Sequence, residues 1–268
     1  MKNIIIKNII IVNIWRNLVF NAKYLSEFAA QLFFPANCMA CNAAVAKMGT
    51  ICNDCFVRMR IMQAPECHKC GEPFAFEVEN DALCDNCATN PPIYDCAKSL
   101  WAYDDLSGKI VKGFKFSDKT SLAPHLGQLL AVRGADLIAK ADIIAPVPLH
   151  FKRLRERRYN QAGLLCNHIA KNTIFNTDNK HKLIQDLLIR TRYTTPQTEL
   201  PFTKRQQNVD GVFRVNPKYA KSLAGKNILL IDDVITTGAT LNACAATLKA
   251  KNANEVYVLT LTKRLLDE

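Results

Sequence analysis

Apolar and polar positions along the chain predict strands and helices in alternation. The run Ile-Leu-Leu-Ile at 228–231 is typical of a strand that is buried on both faces of a parallel sheet. Similar runs predict further strands at 98–103, 142–147 and 255–262, and helical periodicity predicts helices at 104–116, 121–140, 159–171 and 239–250. Residues 172–217 show no regular period. The alternation predicts an α/β fold with a parallel sheet, in which ligands bind at the carboxyl ends of the strands.

The strand predicted at 228–231 leads into chemistry that suits a sugar phosphate. Asp232 and Asp233 follow the apolar run, where they could accept hydrogen bonds from ribose hydroxyls or hold Mg²⁺. The next helix would offer unpaired N–H groups and the positive end of its dipole to an anion. The residues expected to hold the phosphate are Thr236, Thr237, Gly238, Ala239 and Thr240. The alternative is an ordinary strand and turn whose acids are merely solvated.

Cations cluster after the strand predicted at 142–147. A basic loop at 148–161 contains Arg153, Arg155 and Arg158, which would lie across the cleft from Asp232 and could neutralise a pyrophosphate group. A solvated charge run or a helix start is the competing interpretation. A second cationic stretch, 190–213, has no period and is either a recognition flap or a surface excursion.

Eight of the eleven cysteines form four Cys-x-x-Cys pairs, which are the ligand spacing of two tetrahedral zinc sites. The eight residues are Cys38, Cys41, Cys52, Cys55, Cys67, Cys70, Cys84 and Cys87. We expect successive pairs to share a metal, although the spacing is also compatible with an interleaved arrangement. A disulfide framework is the alternative, and the lack of a clear secretory signal disfavours it. Cys96, Cys166 and Cys244 fall outside the pattern.

Composition and a pair of consecutive prolines divide the chain into three parts. Residues 1–34 are apolar but broken by Lys and Asn, which argues against a transmembrane span and leaves an amphipathic surface helix or a disordered start. Residues 35–90 carry the cysteine pairs, and Asn90-Pro91-Pro92 separates them from a main domain at 93–268. We expect a cytoplasmic protein, with contact to the inner membrane face as an option.

Bulk charge favours anionic partners without choosing among them. Lys and Arg outnumber Asp and Glu by 35 to 24, which gives a formal net charge of +11. The sequence shows no aromatic-basic repeat typical of a base-stacking platform.

The stretch from Asp232 to Thr240 resembles the 5-phosphoribosyl-1-pyrophosphate (PRPP) motif of type I phosphoribosyltransferases. Together with the cysteine pairs, the Arg158-Tyr159-Asn160-Gln161 stretch and the segment containing Arg192, Thr195 and Asn208, it resembles the ComF family of competence-associated proteins. The resemblance covers about 34–263 and implies a double zinc ribbon followed by a type I phosphoribosyltransferase fold. It places Asp232 and Asp233 on the ribose and metal, 236–240 on the 5-phosphate, and the three arginines on the pyrophosphate.

Two departures from the family patterns bear on function. Tyr159 stands where family members usually have Gly, which puts a close backbone approach in doubt. Thr236 stands where purine-salvage enzymes have an Asp, and a hydroxyl cannot act as a general base near neutral pH. Purine salvage is therefore disfavoured, and the sequence identifies no acceptor.

These residues leave two functions open. One is a Mg²⁺-dependent phosphoribosyltransferase with Asp232 and Asp233 as catalytic residues, which releases pyrophosphate on transfer to an unknown acceptor. The other is a non-catalytic competence factor that binds PRPP and single-stranded DNA. The resemblance implies a role in natural transformation, with DNA-uptake proteins as partners.

Overall fold

The computed structural model describes residues 36–79, 81–116, 119–171, 182–194 and 208–265. These residues fall into two compact units that divide after Cys52. The predicted amino-terminal extension and the segment 195–207 lie outside the described residues. Within the described part of the chain, no helix combines the length and the apolar content that crossing a membrane requires.

A five-stranded parallel sheet forms the centre of the second unit, in the order β1–β7–β6–β2–β3. Its strands are β1 (Cys96–Ala102), β2 (Ile143–Pro146), β3 (Lys182–Leu183), β6 (Ile228–Ile235) and β7 (Val256–Lys263). The four apolar residues at 228–231 are completely buried, as expected for a strand with neighbours on both sides and helices on the sheet faces. The predicted α/β fold with a parallel sheet is confirmed.

Helices connect and cover these strands. Their bounds are α1 (Asn53–Arg58), α2 (Asp85–Thr89), α3 (Asp105–Phe116), α4 (Ala123–Arg133), α5 (Ala135–Lys140), α6 (Phe151–Arg157), α7 (Gln161–Lys171) and α8 (Ala239–Lys249). Asp104 and Ser107 cap the start of α3 reciprocally, because each backbone N–H donates to the other side chain, at 2.9 and 2.8 Å. The cap fixes where α3 begins and therefore where its last turn falls.

Three sequence predictions were wrong in detail. The helix expected at 121–140 is interrupted at Gly134, where a Cβ atom would stand 2.5 Å from the Leu259 side chain. The basic loop expected at 148–161 contains the helix α6.

The region expected to be irregular, 172–217, includes β3, which extends the main sheet. It also contains β4 (Leu188–Arg190) and β5 (Phe213–Val215), which form an antiparallel pair. These strands are two or three residues long, too short for a periodic signal.

Candidate functional site

The turn after β6 has the geometry of an anion-binding loop. Gly238 has a φ of 72°, a left-handed conformation that glycine adopts without strain, and it directly precedes α8. Thr237 Oγ1 accepts a hydrogen bond from the Ala239 N–H at 3.3 Å. Ala239 and Leu241 are buried, which anchors the first turn of α8 against the core. The N-terminus of an 11-residue helix is therefore held at the carboxyl edge of the sheet.

Two residues in the segment before β1 contact this turn and the first part of α8. The Ile93 N–H donates to Asn242 Oδ1 in α8 at 2.9 Å. The Tyr94 hydroxyl lies 3.6 Å from the position that a Cβ atom at Gly238 would occupy. Sequence reasoning missed both Tyr94 and Asn242. The detectable signal was Asn242 itself, a polar residue between the apolar residues Leu241 and Ala243.

The paired carboxylates follow the apolar run as predicted, but they lie within the carboxyl-terminal half of β6, because the strand continues to Ile235. Asp233 is 9% exposed, and Asp232 is partly exposed while its Oδ1 accepts the Asp233 N–H at 2.8 Å. Burial raises the pKa of Asp232 to about 7, and the neighbouring charge of Asp233 adds to this. The Asp233 N–H, Lys115 and Arg190 act in the opposite direction. The unliganded site therefore concentrates negative charge that a cation would stabilise.

Lys115 was not identified from the sequence, yet its Nζ lies 2.8 Å from Asp233 Oδ1. It occupies the last turn of α3, whose terminal carbonyls accept hydrogen bonds from side chains. The Tyr159 hydroxyl donates to the Phe114 carbonyl at 3.0 Å, and Gln161 Nε2 donates to the Lys115 carbonyl at 3.3 Å. The sequence stretch that contains Tyr159 thus positions a cation over the carboxylates. Nothing in local periodicity could reveal this, because 45 residues separate the two partners.

The Gly-to-Tyr departure at 159 also has a structural explanation. The left-handed residue is Arg158, with a φ of 64°, and it ends α6. Tyr159 is half-buried and uses its hydroxyl on α3. Asn160 Nδ2 donates to the Val147 carbonyl at 3.1 Å, which fixes the turn after β2.

The predicted arginines take different positions on and beside α6. Arg153 donates to the Thr194 carbonyl at 3.0 Å, whereas Arg155 and Arg158 are exposed. Arg190, which ends β4 and was not singled out, donates to Thr194 Oγ1 and has a buried Nε without a hydrogen-bond partner among the described residues. Arg153 and Arg190 thus both donate to Thr194, which brings two positive charges close together.

The first cysteine group brings four sulfur atoms within 4.8 Å of one another: Cys38, Cys41, Cys52 and Cys55. Cys41 Sγ and Cys52 Sγ are 3.6 Å apart, and the Cys52 N–H donates to Cys38 Sγ at 3.3 Å. Zinc–sulfur bonds of about 2.3 Å in a tetrahedron separate the sulfurs by roughly 3.8 Å. The spacing therefore fits a Cys₄ zinc site, in which Cys41 is exposed.

The second group, Cys67, Cys70, Cys84 and Cys87, repeats this arrangement with all four residues buried. Cys70 Sγ and Cys84 Sγ are 3.7 Å apart, and the Cys84 N–H donates to Cys67 Sγ at 3.3 Å. The Cys70 hydrogen bond lowers the pKa of Cys67 to about 4, while the same contact and burial raise the pKa of Cys70. Successive pairs form each group, so that prediction is confirmed and the interleaved alternative is excluded. Cys166 and Cys244 are buried and belong to neither group.

The second cysteine group lies in the same unit as the sheet, and residues beside it contact β1 and β7. The Ala97 N–H of β1 donates to the Lys69 carbonyl at 2.8 Å, and a Cβ atom at Gly71 would stand 2.7 Å from the Ala97 carbonyl oxygen. Lys263, at the end of β7, lies 3.2 Å from Glu72 and is 4% exposed. Burial lowers the pKa of Lys263, but the charges of Cys70 and Glu72 outweigh it, so the net pKa is raised. The buried Lys263 ammonium therefore compensates negative charge on Glu72 and on the second cysteine group.

Two family models match separate parts of the chain. A double zinc ribbon domain matches residues 29–88, and a phosphoribosyl transferase domain matches residues 164–266. The glutamine phosphoribosylpyrophosphate amidotransferase of B. subtilis, solved with ADP and GMP, is 20% identical with a TM-score of 0.37. That alignment covers 56% of this chain and 30% of the amidotransferase chain.

Curated relatives cover more of the chain. Competence protein F of Haemophilus influenzae is 29% identical over 86% of this chain and 98% of its own length. DNA utilization protein YhgH of Escherichia coli is 27% identical over 87% of this chain and all of its own length. Competence protein ComFC of Bacillus subtilis is 26% identical over 75% and 78%. The two Cys₄ groups, the parallel sheet and these matches agree on one conclusion: the chain has a double zinc ribbon domain followed by a phosphoribosyl transferase domain, and it is similar to competence proteins F and ComFC.

Proposed function

We propose that this protein binds PRPP together with Mg²⁺ and transfers the phosphoribosyl group to an acceptor, with release of pyrophosphate. One observation carries the proposal: Asp232 and Asp233 lie in the carboxyl-terminal half of a buried parallel strand, which leads through a short turn and a left-handed glycine into a helix. The 5-phosphate would bind to the loop 236–240 and the start of α8, and the ribose hydroxyls to the two carboxylates.

The residues present suit a divalent cation. Asp233 already holds one positive group, the Lys115 ammonium, at 2.8 Å, and together with Asp232 it would supply carboxylate oxygens to Mg²⁺. Carboxylate oxygens are the ligands that Mg²⁺ prefers, usually beside waters and substrate phosphates. When bound with PRPP, Mg²⁺ would neutralise charge on the departing pyrophosphate.

The protein's own residues would supply the remaining charge stabilisation. Arg153 and Arg190 line one side of the cleft through Thr194, and Arg155 and Arg158 on and beside α6 extend the positive field. Positive groups near the leaving group act where charge develops as the anomeric bond breaks. Thr236 offers no general base, so the acceptor must be a nucleophile that needs none from this position.

Ligand-induced stabilisation tests the binding half of this proposal. PRPP with Mg²⁺ should raise the melting temperature, since a ligand that binds only the folded state stabilises it. Asp233→Asn should abolish the rise, whereas Asp105→Asn, an exposed acid in α3, should leave it intact. No rise in the unaltered protein would refute the proposal. A pyrophosphate-release screen over nucleobases and ammonia then tests transfer.

A second candidate function, single-stranded DNA binding, has its own support. Phe151 and Tyr193 are 58% and 42% exposed, and Lys152 Nζ and Arg153 Cζ each lie 5.5 Å from the centre of the Tyr193 ring. Phe116 is 70% exposed beside Arg157, whose Cζ lies 5.0 Å from its ring centre. The fold thus assembles aromatic and basic groups that are distant in sequence, which is the composition of a strand-binding surface.

Nucleic-acid binding can be measured apart from PRPP chemistry. A labelled single-stranded oligonucleotide should bind with an affinity that falls steeply as salt rises, because phosphate contacts release counterions. Phe151→Ala should weaken binding about tenfold through lost base stacking, with little change in the salt slope. Binding that ignores both salt and Phe151 would rule out this surface. The names of the relatives, competence and DNA utilization proteins, are consistent with such a role.

A further inference from the structure

Lys115 is the cation that pairs with the acidic site among the described residues. Its ammonium lies 2.8 Å from Asp233 Oδ1, and the two side chains are 20% and 13% exposed. Within the same ranges, neither Asp232 nor Asp233 makes another ion pair within 4 Å. The unliganded site is therefore half-neutralised by one side chain on a flexible four-carbon stem.

The backbone under Lys115 is held more firmly than its ammonium. Tyr159 and Gln161 donate to the carbonyls of Phe114 and Lys115, and Gln161 is 1% exposed. The Phe114 side chain is completely buried one position earlier. The base of the lysine side chain is thus fixed by the backbone, while its ammonium, on a partly exposed side chain, is held by the Asp233 ion pair.

We propose that Lys115 is an exchangeable counter-ion: it holds Asp233 in the unliganded protein, yields that carboxylate to Mg²⁺ and ribose, and then binds the phosphate oxygens of the ligand. This inference rests on the proposed function and adds a binding residue to it. A ligand that binds Asp233 Oδ1 competes with the Lys115 ammonium for the same oxygen, so binding weakens the pair. The freed ammonium would lie beside an incoming polyanion, where a charge-assisted hydrogen bond is favourable.

The exchange predicts opposite effects of one substitution on two ligands. Lys115→Met removes the competitor for Asp233, so the affinity for Mg²⁺ alone should rise about fivefold, equivalent to about 1 kcal/mol. The same variant loses a phosphate contact, so the affinity for PRPP with saturating Mg²⁺ should fall about tenfold. Lys115→Arg should restore most of the PRPP affinity. A side chain with only a structural role would not move the two affinities in opposite directions.

Calorimetric titration with Mg²⁺ alone and with PRPP at saturating Mg²⁺ measures both effects. Lys112→Met is the matched control, because it removes an exposed lysine from the same helix and should change neither affinity. Circular dichroism and melting curves establish that each variant is folded.

The outcomes separate the exchange from the proposed function. If unaltered protein binds PRPP and Lys115→Met binds both ligands equally well, the exchange is wrong and the proposed function stands. A parallel fall of both affinities would likewise overturn the exchange. If the unaltered protein does not bind PRPP, both ideas fail together.

Discussion

Two clusters of negative charge in the second unit each carry one lysine, and the two lysines differ in burial. Lys263 is 4% exposed within β7 and faces Glu72 and Cys70, beside the second Cys₄ group. Lys115 lies in the last turn of a helix and reaches Asp233 with a side chain that is 20% exposed. The first cation is buried within the sheet, whereas the second lies at a helix end and is partly exposed.

The difference separates structural from functional charge. Thiolates gathered around a zinc ion need permanent compensation, because their burial is part of the folded core. Carboxylates that must accept a ligand need compensation that can be displaced. Substitutions at the two clusters should therefore change different properties: stability and metal content at the first, ligand affinity and pH response at the second.

The largest expected effect follows loss of a ligand from the second Cys₄ group. Cys84→Ser should remove one zinc and destabilise the unit by about 4 kcal/mol or more, since the metal holds a buried region against β1. Asp233→Asn should cost about 1 kcal/mol or less. Zinc analysis and denaturant unfolding measure both. Equal losses of stability would erase the distinction between the clusters.

The lysines themselves give the next test. Lys263→Met leaves Glu72 and the thiolates buried without their cation and should cost about 3 kcal/mol, whereas Lys115→Met should cost about 1 kcal/mol or less. Lys226→Met, which breaks an exposed pair with Asp142, controls for simple loss of surface charge. Urea unfolding of zinc-loaded protein distinguishes them. A Lys263→Met variant as stable as the Lys226→Met control would show that the enclosed charge is not required.

Some features of these two regions could be predicted from the sequence and others could not, for a physical reason. The Cys-x-x-Cys spacing identified both cysteine groups, and the apolar run before Asp232 identified the strand and the turn that leads into α8, because these signals are local. Lys115, Lys263 and Tyr94 were missed, since each meets its partner through tertiary packing. Lys263 is adjacent to Ile235 only because β6 and β7 pair. Local chemistry could be predicted, and the counter-ions could not.

The pKa of Asp232, in the Asp232–Asp233 cluster, provides a third test. The Asp232 carboxyl has a pKa of about 7 in the folded protein, against about 3.9 when unfolded. The folded state keeps this proton longer, so this group's contribution to stability is greatest below pH 4 and is lost as pH rises through 7. Asp232→Asn should therefore be about 2 kcal/mol more stable than the unaltered protein at pH 8, since solvent screens part of the effect, and nearly equal at pH 4.

Melting curves across pH 4 to 8 measure this difference. A difference that does not change with pH would mean that Asp232 ionises normally in the folded protein. The same charge repulsion that lowers stability would favour cation binding, so added Mg²⁺ should reduce the advantage of Asp232→Asn at pH 8.

The smallest expected effect tests whether the two clusters communicate. Ile93 and Tyr94 follow the second Cys₄ group, and they lie against Asn242 in α8 and Gly238 just before it. Asn242→Ala removes the acceptor of the Ile93 N–H, so the start of α8 is less firmly held and the affinity for ribose 5-phosphate should fall about fivefold, or about 1 kcal/mol. Zinc content should stay the same, because no thiolate is touched.

Thr247→Ala, later in α8, removes a hydrogen bond to the Ala243 carbonyl without reaching the loop and serves as the control. Calorimetry with ribose 5-phosphate compares the variants. Equal affinities would mean that the Ile93 contact with Asn242 holds the linker in place and does not position the phosphate loop. A fall confined to Asn242→Ala would instead show that the segment before β1 helps to position the start of α8 for phosphate binding.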